Sequence, residues 1–191
     1  MRIDAGGKMC PIPVIMAKKE LEAGEQDVEI IVDGQTQIDN LARLGDALGR
    51  PTSSEAFGDK FLVKFANGET KVGAAGNEAD TYAVFFNTNA IGTNNSELGG
   101  NLAKMAIYTL SESDRIPSYV LFMNEGVKLV TGVEPQIVEN LNTLIEKGSK
   151  VLVCGTCLNY YELTDQLKVG TVSNMYDILG AMQEVSKVIK L

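Results

Sequence analysis

Residues 8–20 read KMCPIPVIMAKKE, a cysteine standing directly ahead of Pro-Ile-Pro where an amphipathic run begins. Proline is tolerated in the first helical turn, because its missing N–H has no intrahelical acceptor there. Pro11 therefore fits the first helical position and Pro13 the third. Val14, Ala17 and Leu21 recur at helical spacing, with Lys18, Lys19, Glu20 and Glu22 largely on other faces. Cys10 is thereby expected at or beside the N-cap. Exposed backbone N–H groups and the positive end of the helix dipole favour an anion there and lower a thiol's pKa. The alternative is a buried cysteine acting as a small hydrophobe. Gly6, Gly7 and Lys8 read as an exposed loop and weigh against it.

Ahead of this stretch Ile3 lies in a short first strand, and the helix after Cys10 runs to about Ala23 with Gly24 at its end. VEIIVDG (28–34) is a β-branched strand closed by Asp33-Gly34. Thr36 and Asp39 resemble a capping box. Ile38, Leu41, Ala42, Leu44 and Leu48 form the apolar stripe of a second helix, stopped by Gly49 and Pro51. TSSEAF and FLVKFA flank Gly58-Asp59-Lys60 as a β-hairpin. Residues 1–70 thus predict a two-layer βαβαββ sandwich.

Residues 67–80, NGETKVGAAGNEAD, carry no periodicity, and 71–80 is read as a linker. Residues 81–191 then alternate strand and helix. YAVFFN, SYVLFM, KVLVCGTC and KVIKL are the strands; the helices run through Met105 and Leu110, Ile137 to Ile145, and Met175 to Met182. Short, continuously apolar strands of this kind are buried on both faces of a parallel sheet. The prediction is α/β throughout, with a C-terminal three-layer α/β/α domain on a mainly parallel sheet. Ligands gather beyond the carboxyl ends of such strands, and Cys154 ends one of them. The Asn-rich loop 87–96 is read as an anion cradle or as a turn capped by Asn94 or Ser96.

Composition removes whole classes of chemistry. The chain of 191 residues has no histidine, which excludes Ser-His-Asp and Cys-His hydrolases and histidine-ligated zinc enzymes. Its three cysteines, Cys10, Cys154 and Cys157, are too few for a four-thiolate zinc site, so no metal or cofactor is expected. A net charge of −8 argues against general nucleic-acid binding, and no apolar run is long enough for a bilayer. With no apolar leader at the N-terminus, a cytoplasmic location is expected. Thiols remain as the candidate reactive groups. The CxxC of VLVCGTCLNYYEL (151–163) reads as a redox disulfide, half a metal site, a reactive thiol with a neighbour, or simply a buried strand-end cysteine.

DAGGKMCPIPVIMAKKEL (4–21) resembles the CPxP signature of the TusA/SirA-like sulfur carriers, in Cys10, Pro11 and Pro13. GTNNSELGGNLAKM, PSYVLFMNEGVKL and VLVCGTCLNYYEL resemble the DsrE/DsrF-like family, and the fusion resembles the YedF proteins, described as sulfurtransferase-like and linked to selenium metabolism. Gly6 and Lys8 stand where the carriers commonly have Arg and Leu, and Ile12 where an acidic residue is frequent. The resemblance implies a persulfide carrier in which Cys10 accepts a sulfane sulfur. Its reactive C-terminal cysteine follows a strand, which maps to Cys154, with Cys157 as an extra candidate. Expected partners are a protein persulfide donor such as a cysteine desulfurase, a protein acceptor, and further copies of the chain through the C-terminal domain. The competing reading is a regulatory or scaffold protein that binds partners without turnover.

Overall fold

The computed structural model describes residues 1–9, 11–70, 81–93 and 95–191. The chain forms two compact units, Met1–Ala74 and Ala75–Leu191.

In the first unit the elements are β1 (Arg2–Asp4), α1 (Ile12–Glu22), β2 (Glu29–Val32), α2 (Gln35–Leu48), β3 (Thr52–Phe57) and β4 (Lys60–Phe65). The sheet order is β1-β2-β4-β3, parallel between β1 and β2 and antiparallel elsewhere. Both helices cover one face. Ala17 and Leu21 of α1 and Ile38, Leu41 and Leu48 of α2 bury against Ile3, Ile30, Val32, Val63 and Phe65. Each fully buried Leu, Ile, Val or Phe side chain contributes roughly 1.5–3 kcal/mol. β3 is almost wholly exposed, so the unit has two layers.

Two local expectations shift. The first helix starts at Ile12 with Pro11 as its N-cap, so Pro11 and Pro13 sit one position earlier than predicted. Thr36 and Asp39 do not cap α2. Gly34 is the N-cap, and Gln37 accepts from the N–H groups of Gly34 (3.0 Å) and Asp33 (2.9 Å). A glycine cap has no side chain to contribute, so only the reciprocal half of a capping box is made. Gly49 closes α2 in the left-handed region at φ 71°.

The second unit comprises β5 (Tyr82–Phe86), α3 (Ser96–Ser111), β6 (Tyr119–Phe122), α4 (Val127–Thr131), α5 (Pro135–Glu146), β7 (Lys150–Cys154), α6 (Gly155–Tyr160), β8 (Thr171–Ser173), α7 (Met175–Glu184) and β9 (Lys187–Lys190). Strand order is β8-β7-β6-β5-β9, and every pairing is parallel. Strand alternation divides the interior. Phe86, Phe122, Val151 and Val153 pack with Ile107 of α3 and Leu141 and Leu144 of α5 on one face. Ala83, Tyr119, Leu121 and Cys154 pack with Ile178 and Ala181 of α7 on the other. The two faces make a three-layer α/β/α arrangement.

The short α4 and β8 escaped the sequence reading, since three to five residues are too few for a period to show. The helix after the Asn-rich loop is capped by Asn95, whose side chain accepts from the Leu98 N–H at 2.8 Å. Ser96 is instead its first helical residue, and Asn94 lies outside the described residues. Among the described residues no helix is long and apolar enough to cross a membrane.

Candidate functional site

Three carboxyl-edge features of the parallel sheet converge. β7 ends at Cys154, whose side chain alternates with Val153 and so joins the face covered by α7. Gly155 then opens α6. A Cβ at that position would lie 3.0 Å from Val172 Cγ1 and 3.3 Å from the Ser173 carbonyl oxygen, so glycine lets β8 close in beside the thiol. Cys157 follows within the first turn of α6. Its Sγ lies 3.1 Å from Cys154 Sγ and donates to it. Both thiols are free; Cys154 is 4% exposed and Cys157 half-buried.

The third feature is the turn after β6. Asn124 adopts φ 49°, a left-handed conformation that asparagine tolerates better than most side chains. Its N–H donates to Cys157 Sγ at 3.1 Å, and its Oδ1 accepts from the Tyr161 hydroxyl at 3.0 Å. The Lys128 ammonium sits 4.6 Å from the Tyr161 ring centroid and pairs with Glu125 at 2.8 Å. Cys157 therefore bridges Asn124 and Cys154, one contact received and one given.

Burial pushes the Cys157 pKa above its ordinary value, and its hydrogen bond to Cys154 pushes it further; the Asn124 N–H acts in the opposite direction. The Cys157 S–H points towards Cys154 Sγ. This pair stands at the carboxyl edge, as expected of ligand-bearing α/β sheets, but not where the strand order reverses. That reversal falls between β5 and β9, whereas Cys154 ends β7.

Cys10 lies outside the described residues. The chain on its N-terminal side is braced from three directions. The Gly6 N–H donates to Asp4 at 2.9 Å, the Gly7 N–H donates to Asp33 at 2.6 Å, and Gln37 donates to the Lys8 carbonyl at 2.8 Å. Lys60 reaches Asp33 at 3.7 Å. Gly7, at φ 73°, makes the turn that brings its N–H to Asp33. The sequence marks Asp33 and Lys60 only as turn residues and gives Gln37 no signal, since each is an ordinary surface polar residue until β2, α2 and β4 come together. Likewise Asn124 lies 33 residues from Cys157 in sequence, and nothing local couples it to a thiol, whereas Tyr161 follows Cys157 by one helical turn. Among the described residues no cluster of three or more potential ligands could hold a metal ion.

Two family models match the chain. Residues 80–191 match the DsrE/DsrF-like family, and residues 1–51 match sulfurtransferase TusA. No curated protein matches. Among solved structures, a SirA-like protein from Desulfitobacterium hafniense is 36% identical, covering 36% of this chain and 100% of its own, with a TM-score of 0.33. The ychN protein from E. coli is 17% identical, covering 58% of this chain and 99% of its own, with a TM-score of 0.44. A conserved protein of unknown function from Bacteroides thetaiotaomicron is 15% identical, covering 61% of this chain and 100% of its own, with a TM-score of 0.43.

Proposed function

Since the chain belongs to the DsrE/DsrF-like family through residues 80–191 and carries a TusA segment ahead of it at residues 1–51, we propose that it relays sulfane sulfur, or selenium in its place, between proteins through Cys10 and Cys154. The observation that supports this most is Cys154, a free thiol at the carboxyl end of a parallel strand. In the first step the Cys10 thiolate attacks the outer sulfur of a donor protein's persulfide. A bond forms between Cys10 Sγ and the sulfane sulfur, the donor's S–S bond breaks, and the donor thiolate leaves with the electron pair. Cys154 takes the sulfur by the same exchange, and no net oxidation occurs in either step. Cys154 is assigned as the acceptor because it ends strand β7 at the carboxyl edge of the sheet, where its thiolate is the nucleophile.

The donor fitting this chemistry is a cysteine desulfurase or another protein persulfide, and the acceptor a second protein thiol. Association of like chains through the second unit is part of the proposal. Val172, Met175, Tyr176 and Leu179 support it as exposed apolar side chains on β8 and α7.

Incubation with a cysteine desulfurase and cysteine, followed by peptide mass analysis, tests the relay. Sulfur should appear on Cys10 and then on Cys154, and Cys10→Ser should slow loading of Cys154. A chain that gains no sulfur at either residue overturns the proposal and favours the scaffold reading. Equal loading from selenium and sulfur donors in competition would leave no case for a dedicated selenium role.

A further inference from the structure

The second thiol of the pair is not needed for passing a persulfide onward, since one cysteine suffices for that exchange. From its placement we infer that Cys157 resolves a persulfide on Cys154 internally, so that the second unit releases reduced sulfide when no acceptor thiol takes the sulfane sulfur first. The inference rests on the relay reading of Cys154 given above.

The geometry supplies each requirement. Cys157 Sγ is already 3.1 Å from Cys154 Sγ, and joining them to the bond length of about 2.05 Å needs only about one ångström of approach. Both cysteines sit on adjoining ends of β7 and α6, so a side-chain rotation rather than a rearrangement of the sheet closes the gap. The Asn124 N–H, 3.1 Å from Cys157 Sγ, holds the attacking sulfur and offsets negative charge as its proton leaves. Cys154 is nearly fully buried, so a persulfide formed there has a thiol as its nearest reactive neighbour and little access to bulk water.

The step balances without an external redox agent. Cys157 Sγ bonds to Cys154 Sγ, and the bond from Cys154 Sγ to the outer sulfur breaks. The outer sulfur leaves with that electron pair and takes the proton that Cys157 gives up, departing as hydrogen sulfide. The sulfane sulfur gains two electrons, and the two cysteine thiols lose two in becoming a disulfide. A selenium atom carried in the same place departs as hydrogen selenide. Regeneration requires a dithiol reductant, which attacks the Cys154–Cys157 disulfide by ordinary exchange and leaves oxidised. The class of reaction fed by this release is one that consumes sulfide or selenide directly.

The test uses the full chain carrying Cys10→Ser, so that only the C-terminal thiols take sulfur, and inorganic polysulfide as the donor, removed by rapid desalting before any reductant is added. Sulfide release and peptide masses are followed together. The expected result is one sulfide released per Cys154–Cys157 disulfide formed. Adding Cys157→Ser, or Cys157→Ala, should leave the persulfide on Cys154 and slow release by at least about 100-fold, well within what an oriented intramolecular neighbour provides. A persulfide that persists on Cys154 with Cys157 intact and no disulfide overturns the release step while leaving the relay standing. Failure of Cys154 to take sulfur in any of these chains overturns the release step and the relay at that residue together. The stoichiometry in the Cys157-containing chain decides the matter even if a variant fails to fold.

Discussion

Replacing Gly126 by alanine tests whether the turn after β6 governs Cys157. Gly126 is buried, and a Cβ there would overlap the Phe86 carbonyl oxygen and lie 2.8 Å from its carbonyl carbon. That neighbour is main chain of β5, held in register with β6 at Phe86 and Phe122 and accepting from the Met123 N–H at 3.0 Å. It has no side-chain freedom with which to move aside. Relief must come from the turn at residues 124–126, which has to withdraw by most of an ångström. Overpacking of this kind costs about 1–3 kcal/mol. A displacement of that size also takes the Asn124 N–H out of reach of Cys157 Sγ, now 3.1 Å away. This is the one contact that lowers the Cys157 pKa against burial and Cys154, so its loss raises that pKa further. All six tyrosines lie between residues 82 and 176, so tyrosine fluorescence follows unfolding of the second unit alone. Its urea midpoint should fall by roughly 1 M, taking an m-value of about 1–3 kcal/mol/M. The pH profile of Cys157 alkylation, read by peptide mass, should move to higher pH. An unchanged midpoint refutes the overlap. A lowered midpoint with an unchanged Cys157 profile refutes the role given to Asn124.

Arg50 is fully buried and donates to the main-chain carbonyls of Ala66 and Gln26 (2.6 Å for the latter) and to Thr70 at 3.1 Å. Arg50→Leu should cost the first unit about 3 kcal/mol, since hydrogen bonds to charged groups are worth roughly 1.5–3 kcal/mol each and water can re-solvate part of what is exposed. Amide exchange in β2 and β4 should speed up by about 100-fold, and unaltered protection would refute the assignment. Cys157, held protonated in the fold, contributes stability that is complete below its ordinary value near 9.0 and is lost as pH rises through the higher folded value. Cys157→Ser should flatten the alkaline decline of the second unit's stability; an identical slope in both chains counts against the raised pKa. Cys10, ahead of Pro11 and Pro13, should alkylate with an apparent pKa below about 8.5, and a pH–rate profile at or above that value removes the argument from the helix start.

The alternation of strand and helix from Tyr82 onward was legible because each segment carries its own period, and buried parallel strands show as unbroken apolar runs such as YAVFF and YVLF. The CxxC at the end of KVLV was equally plain, as was the exclusion of histidine chemistry by a count of zero. Helix ends were read less well. Gly34 and Asn95 cap α2 and α3 where Thr36, Asn94 and Ser96 were expected, because several residues able to cap stood within one turn and only the fold selects among them. Nothing in the sequence marks Arg50 for burial, since arginine is mostly exposed. Its burial follows from carbonyls of Gln26 and Ala66, each far from it along the chain. The same holds at the thiol pair. Sequence placed Cys157 three residues after Cys154, a spacing compatible with several chemistries. Tertiary structure brought the Asn124 N–H to Cys157 from across β6 and β7, and set β8 against Gly155. Periodicity and composition are properties of neighbouring residues, so they were determined by the sequence alone. A thiol's proton affinity depends on burial and on donors delivered by other strands, and those exist only once the sheet has formed.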